Sequence, residues 1–546
     1  MKKLILFSLF ILTPYLSYTQ EVMEKPLVKF SPYEQVDGYS FKFDTASNSY
    51  FYARYDTIGK VFALIGNRGN SVQYDYISAY SGVFDSKGNY YLIASNNITD
   101  TTFTYFLLKN GKEIAVFDEI NENWKVKEEK IYFACKENGH SYLAYYDMTD
   151  GTLSKGKPYD DIKLVYYEQP ISEGEPVGEI GFTKNGEPYY LASLNNQAFL
   201  VIGTAEQKHY SDVDEYYVTE DTRGEMTYFA KDKGKFYESR GDVFVIQGSR
   251  EYGKKCDYLY GPILFDKTNT PVYICADSAG ETSPQRVIIG DKEEKTYNGG
   301  VYDLRYSSAG KLIYIASEVK DQNYKNFVVY DGKEGKKYNS VMFFSFLPDD
   351  LPLYSAVKNN NKAVIVEGSK VIPSGYSDIT DVQLMANGDL AYVGAVYGDY
   401  KKKIKDKFFV HLGDKILGPF DGMIAEDYVN SRYLLFDPQS NYAFIIFKLK
   451  NIENYVSTQQ LVTAGYTSRE FDGITNPVFY KSKVLWTAST IVNAENYTYK
   501  YQIYYDNKPV GREYDYIGDY VFDSKTGKVT FIAMAANEFF SIVIQL

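Results

Sequence analysis

Apolar and aromatic residues come in short runs along most of the chain, broken every few positions by Gly, Asn, Asp, Ser or Lys. Phe84-Asp85-Ser86-Lys87-Gly88-Asn89-Tyr90 reads as a strand, a Gly turn and a strand. Leu107-Leu108-Lys109-Asn110-Gly111-Lys112-Glu113 reads the same way, with Asn-Gly at the turn. Asn and Gly tolerate the positive φ that tight hairpin turns require. Capped amphipathic runs of helical period are scarce. The pattern predicts short strands joined by hairpins.

The hairpins recur. A tetrad opens each unit: an aromatic, Asp or a near-equivalent, any residue, then usually an aliphatic. Copies start at Tyr33, Tyr74, Phe117, Tyr159, Tyr210, Cys256, Tyr297, Tyr338, Tyr376, Phe420, Phe471 and Tyr514, 38–51 residues apart. A second element keeps the same phase, a strand with an aromatic shortly before a small residue. The small position falls at Ala53, Ala94, Ala134, Ala192, Ala230, Ala276, Ala316, Ala356, Gly394, Ala488 and Ala533, with Ile446 as a departure. Two hairpin signatures per unit give four strands, the content of a β-propeller blade.

Units such as Phe182-Thr183-Lys184-Asn185-Gly186-Glu187-Pro188-Tyr189-Tyr190-Leu191-Ala192 resemble the WD40-like repeats of TolB-type β-propellers. The resemblance covers residues 33–546 at the level of the repeat. It departs from the family in lacking the Ser-Pro-Asp-Gly turn, although Phe436-Asp437-Pro438-Gln439-Ser440-Asn441 keeps a Pro. The expected fold is all-β, a β-propeller of twelve four-stranded repeats of about 40–45 residues. Rings usually hold about four to eight blades, which favours two rings of about six, with splits such as five and seven open. An even division gives a first propeller over 20–290 and a second over 291–546. The last unit lacks its outermost strand, and Pro26 to Val36 is a spare one. Pairing them would close the fold and cover two edges.

Composition sharpens this picture. Aromatic residues make up 17% of the 546-residue chain, and 57 are tyrosines, which favour half-buried strand faces. Lys+Arg is 59 against Asp+Glu 71, a formal charge of -12, which argues against a nucleic-acid partner. The N-terminus carries Lys2 and Lys3, an apolar run from Leu4 to Leu16, and Ser17-Tyr18-Thr19 before Gln20. This is the pattern of a signal peptide over 1–19, with an apolar run too short to span a bilayer. No Cys follows it and no later stretch is long and apolar enough to span. The expectation is a periplasmic or extracellular protein that is not a lipoprotein. Cys135, Cys256 and Cys275 permit one disulfide at most and read as small buried hydrophobes.

Candidate chemistry is sparse. His140, His209 and His411 are not at zinc-ligand spacing. No Gly-x-Ser-x-Gly elbow, P-loop or dinucleotide fingerprint occurs. No catalytic residue, cofactor or metal site is expected. The tetrad carboxylates Asp75, Asp118, Asp160, Asp257, Asp421, Asp472 and Asp515 share one repeat position. Read structurally, each caps a turn by accepting backbone N–H groups. Read functionally, they form an acidic rim that attracts cations or a basic partner. The run Lys401-Lys402-Lys403 with Lys405 and Lys407 reads as a solvated hairpin tip. The functional expectation is an exported, non-enzymatic module binding a protein or surface glycan of the cell envelope. The alternative is a polysaccharide- or peptide-processing enzyme with acidic residues at a propeller centre.

Overall fold

The structure, a computed structural model, describes residues 21–30, 35–36, 40–56, 59–99, 102–166, 178–236, 243–278, 283–402, 404–425, 432–451, 456–495, 498–518 and 520–546. The tetrad aromatic Tyr33 and the expected signal segment over 1–19 lie outside the described residues. Twelve antiparallel sheets follow one another along the chain, numbered here 1 to 12. Sheet 7 shows the plan: Val301–Tyr306, Leu312–Lys320, Asn323–Tyr330 and Lys333–Glu334 pair in sequence order. The chain is thus an all-β protein of four-stranded propeller blades.

The second strand of each sheet explains the small residue in the repeat. Met226–Lys231 and Pro271–Ala276 are buried at every position. Neighbouring sheets cover both faces of such a strand, so the alternation of a half-exposed strand is lost. Ala276 and Ala316 have no exposed surface. The apolar clusters accordingly lie between sheets: Val272, Ile274 and Val287 of sheet 6 pack with Tyr297, Val301 and Phe327 of the next unit. At about 25 cal/mol per Å² of apolar area removed from water, such interfaces stabilise the fold.

The first hairpin of the blade repeats one turn. The N–H of Asp85 donates to Asn89 O and that of Gly88 to Asp85 O, both at 2.9 Å. Equivalent pairs occur at Thr183, Asp221, Asp266, Ser307, Leu347, Met385 and Asp437. The fourth turn residue has positive φ in each, as Gly88 (78°), Asn269 (67°), Asp350 (67°) and Ser440 (64°) illustrate. This geometry stands where the resembled family has Ser-Pro-Asp-Gly.

Two compact units partition the chain: Met1–Pro32 with Ser468–Leu546, and Tyr33–Thr467. The first holds sheets 11 and 12; the second holds sheets 1 to 10. Residue 290 lies in the turn between Gln285–Ile289 and Lys292–Glu293 of sheet 6. In the first unit the chain ends meet. Glu21–Lys29 pairs antiparallel with Glu538–Gln545, from Glu21 opposite Gln545 to Lys29 opposite Glu538, and supplies the outermost strand of sheet 12. The closing strand therefore starts before the expected Pro26–Val36, and Gln35–Val36 belongs to sheet 1 instead. Pro26, which has no N–H to give, sits beside the register shift between Pro26 and Val28.

The cysteines depart from the reading as three separate hydrophobes. Cys256 and Cys275 form a disulfide, and only Cys135 is a free, buried thiol. Burial pushes the Cys135 thiol up to about 12, so it stays protonated and inert at neutral pH.

Candidate functional site

Five tetrad tyrosines, Tyr74, Tyr159, Tyr210, Tyr297 and Tyr514, tie the end of one sheet to the outer strand of the next. Tyr74 O–H donates to Glu113 Oε1 at 2.9 Å. Tyr159 reaches Glu206, Tyr210 reaches Glu251, and Tyr297 reaches Glu334, each at 3.2 Å. A lysine two residues earlier joins the same carboxylate: Lys157, Lys208 and Lys295 in turn. At the closure Tyr514 and Arg512 both meet Glu24 of the N-terminal strand. Glu24 thus does for sheet 12 what Glu206 does for sheet 4. Burial, reinforced by the glutamate, pushes the Tyr74 and Tyr514 hydroxyls far up, which keeps them donors. Cys256 occupies the tetrad-aromatic position between sheets 5 and 6, where the bond to Cys275 replaces the hydrogen-bonded tie.

Six of the seven tetrad carboxylates accept a backbone N–H from their own sheet. Asn97 N–H donates to Asp75 Oδ2 at 2.8 Å, Asn138 to Asp118 at 2.7 Å, and Asn195 to Asp160 at 2.7 Å. Leu449 donates to Asp421 at 3.0 Å, Ile491 to Asp472 at 2.7 Å, and Ala536 to Asp515 at 2.9 Å. The backbone N–H of the tetrad residue often completes a clamp, as from Asp160 to Ser193 O at 2.9 Å. Asp257 departs from this: Ser278 N–H, the corresponding donor, goes to Ser283 Oγ. Lys405 and Lys500 also pair with Asp421 and Asp515. Burial raises the Asp515 carboxyl, but Lys500 and the Ala536 N–H outweigh it and leave it below the ordinary carboxylate value. The seven carboxylates sit on seven different sheets. Among the described residues no three His, Cys, Asp or Glu side chains converge as a metal site.

The three histidines are also dispersed. His140 is exposed at a hairpin, His209 stacks on Phe199, and His411 stacks on Tyr392. Of the Lys-rich run, Lys402 pairs with Asp399 and Lys405 with Asp421, while Lys403 lies outside the described residues.

A different place gathers chemistry. Within Tyr33–Thr467, the first strands of sheets 7, 8 and 9 (Val301–Tyr306, Ser340–Phe346 and Asp378–Leu384) line a cleft of about 600 Å³ together with Arg432. Each of these strands carries a register shift where it borders the cleft: Tyr302/Arg305, Phe343/Ser345 and Thr380/Gln383. Bulges re-aim side chains out of the regular alternation. Asp303 and Asp381 stand at two of the shifts with φ of 59° and 49°, a conformation aspartate tolerates better than most residues. Asp303 accepts from Arg305 Nε at 2.6 Å, and the Arg305 guanidinium lies 4.8 Å above the Phe343 ring. Tyr302 donates its hydroxyl to Asn326 at 2.7 Å while its ring stays 41% exposed, and Met342 is 44% exposed.

Asp381 organises the cleft floor. It is 3% exposed. Its Oδ2 accepts the N–H groups of Tyr433 and Leu434, both at 2.6 Å, and its Oδ1 accepts from Gln383 at 2.6 Å. Gln383 also donates to Leu434 O at 2.9 Å. Burial raises the Asp381 carboxyl, and these donors hold the rise in check. The result clamps residues 432–434 to sheet 9 and places Arg432 on the cleft. Sequence reading missed this site because its residues break the repeat. The available signal was Asp at the bulge of the first strand, two residues before Arg305 or Gln383.

No family model matches the chain, and no curated protein matches it. Among solved structures it is similar to a eukaryotic initiation factor, at 11% identity over 68% of this chain and 94% of that one, with a TM-score of 0.31. It is similar to the tricorn protease at 11% identity over 94% of this chain and 54% of that one, with a TM-score of 0.26. It is also similar to the Dos1 propeller at 11% identity over 64% of this chain and 94% of that one, with a TM-score of 0.24. The β-propeller assignment stands on the sheets of the described residues themselves.

Proposed function

We propose that this is an exported, non-enzymatic β-propeller that binds a protein or surface glycan of the cell envelope. The observation that carries the reading is the cleft on the first strands of sheets 7 to 9. It combines exposed apolar surface (Tyr302, Met342) with fixed polar groups (Asp303, Arg305, Gln383, Arg432), the mixture expected of a recognition site. Fold alone does not imply this, since propellers host many activities. Export is supported by the charged and apolar N-terminal pattern and by the Cys256–Cys275 disulfide, which suits an oxidising compartment. The test is cross-linking of the tagged mature protein in its own cells, followed by mass spectrometry. A reproducible captured protein or glycan is the expected result. Sustained turnover in a screen of polysaccharides and peptides would overturn the non-enzymatic reading.

A further inference from the structure

Resting on that binding reading, we propose that the cleft recognises a carboxylate of an extended acidic peptide segment in a protein partner, with Arg432 as the cation that meets it, Arg305 being already paired with Asp303. Arg432 has no hydrogen bond or ion pair among the described residues. Asp381, whose charge it does feel, is buried and already accepts three hydrogen bonds. The guanidinium therefore keeps its planar fork of donors for a ligand, and forks of this kind match a carboxylate with two parallel hydrogen bonds. The clamp on Tyr433 and Leu434 fixes the Arg432 backbone beforehand, which lowers the ordering cost of binding.

The walls favour a peptide over a sugar. Val301–Tyr306, Ser340–Phe346 and Asp378–Leu384 each have a strand partner on one side only; Gln285 takes the Val301 N–H and Ser355 the Ile379 C=O, so it is the remaining edge groups that an extended chain could meet. The Phe343 face, on which a sugar ring would stack, is covered by Arg305. The apolar lining is Val341, Met342, Phe344, Val382 and Leu384, and an adaptable Met suits varied peptide side chains.

The test is selection of a random peptide library on the full mature chain, followed by affinity measurement of the winning peptides. Each winner is compared with its form in which every Asp and Glu is replaced by Asn and Gln and the C-terminus is amidated. An oligouronate is titrated in parallel. Binding of the acidic form should exceed that of the amide form by about tenfold or more, a difference absent in Arg432→Ala and partly kept in Arg432→Lys. Melting curves of both variants check that they fold, and Asp160→Ala, away from the cleft, should bind as the parent does. Equal binding of acidic and amide forms, no enriched peptide, or Arg432-dependent binding of the oligouronate alone would overturn the proposal. If cross-linking in cells still captures a partner that Arg432→Ala retains, the binding reading survives and the carboxylate assignment falls.

Discussion

Asp160 and Asp381 both stand on or beside the first strand of a sheet, and both accept backbone N–H groups, yet they do opposite things. Asp160 is exposed, accepts one bond from Asn195 of its own sheet, and has counterparts in sheet after sheet. Asp381 is buried and accepts three bonds, two of them from residues 433 and 434 of the following unit. The repeating aspartate stabilises a blade; the singular one positions Arg432 at a cleft. In a repeat protein the periodic residues answer to the fold, and the residues that break the period are where recognition chemistry is to be sought.

A third aspartate, just after the first strand of sheet 5 (Asp212–Val213), is buried with less to compensate it. Asp214 is 5% exposed and accepts one side-chain bond, from Tyr216 N–H at 3.0 Å. Burial, with only that bond and Lys163 opposing it, pushes its carboxyl up to about 7. Below the ordinary value near 3.8 the folded and unfolded states are both protonated and Asp214 costs nothing. Stability falls as pH rises from there, and above about 7 the full cost applies, on the order of 4 kcal/mol. Urea unfolding of Asp214→Asn across pH 4 to 8 should lack that part of the decline. An unchanged pH profile would remove the distinction between well-solvated and poorly solvated buried aspartates.

Next in size is Asp381→Ala. It leaves two backbone N–H groups and the Gln383 amide without their acceptor and should cost about 3 kcal/mol in urea unfolding. A loss below about 1 kcal/mol would put Asp381 with the repeating positions and break the comparison. Removing the Cys256–Cys275 bond by serine replacement at both positions should cost a similar amount, about 3 kcal/mol for the 19-residue separation, checked by the same unfolding in oxidising buffer. Serine at 256 restores neither a tyrosine ring nor its tie, so a near-neutral result would mean that the junction between sheets 5 and 6 needs no tie at all. The smallest effect belongs to Asp160→Ala, about 1 kcal/mol, as for a lost side-chain cap. A thermal shift with no loss of partner capture is the expected outcome there.

Much of the fold was legible because it repeats. The tetrad and the small residue mark the same two places in each sheet, and the unfinished last unit implied a strand from the N-terminus. The position of that strand was not legible. Glu21–Lys29 is mostly exposed, since as the outermost strand it has little to bury, and its apolar residues do not alternate. The disulfide was hidden by the tetrad itself, in which Cys256 passed as a substitute aromatic. Six of the seven tetrad carboxylates accept a backbone N–H, with Asp257 the departure. The cleft was harder to read than the sheets: Asp303 and Asp381 match each other at first-strand bulges, but Arg305 and Arg432 do not recur from unit to unit. Their meeting depends on bulges and on pairing between successive units, which spacing along the chain does not encode.

The central claim is that partners meet the first-strand cleft of sheets 7 to 9. Its most direct test places a photoreactive amino acid at Met342 in the cleft or at Asp118 among the tetrads, one at a time, and follows capture in the producing cells. Capture from position 342, weakened by Arg432→Ala, with none from position 118, is the predicted result. Capture from position 118 with none from position 342 would contradict the account and return the function to the acidic tetrad positions.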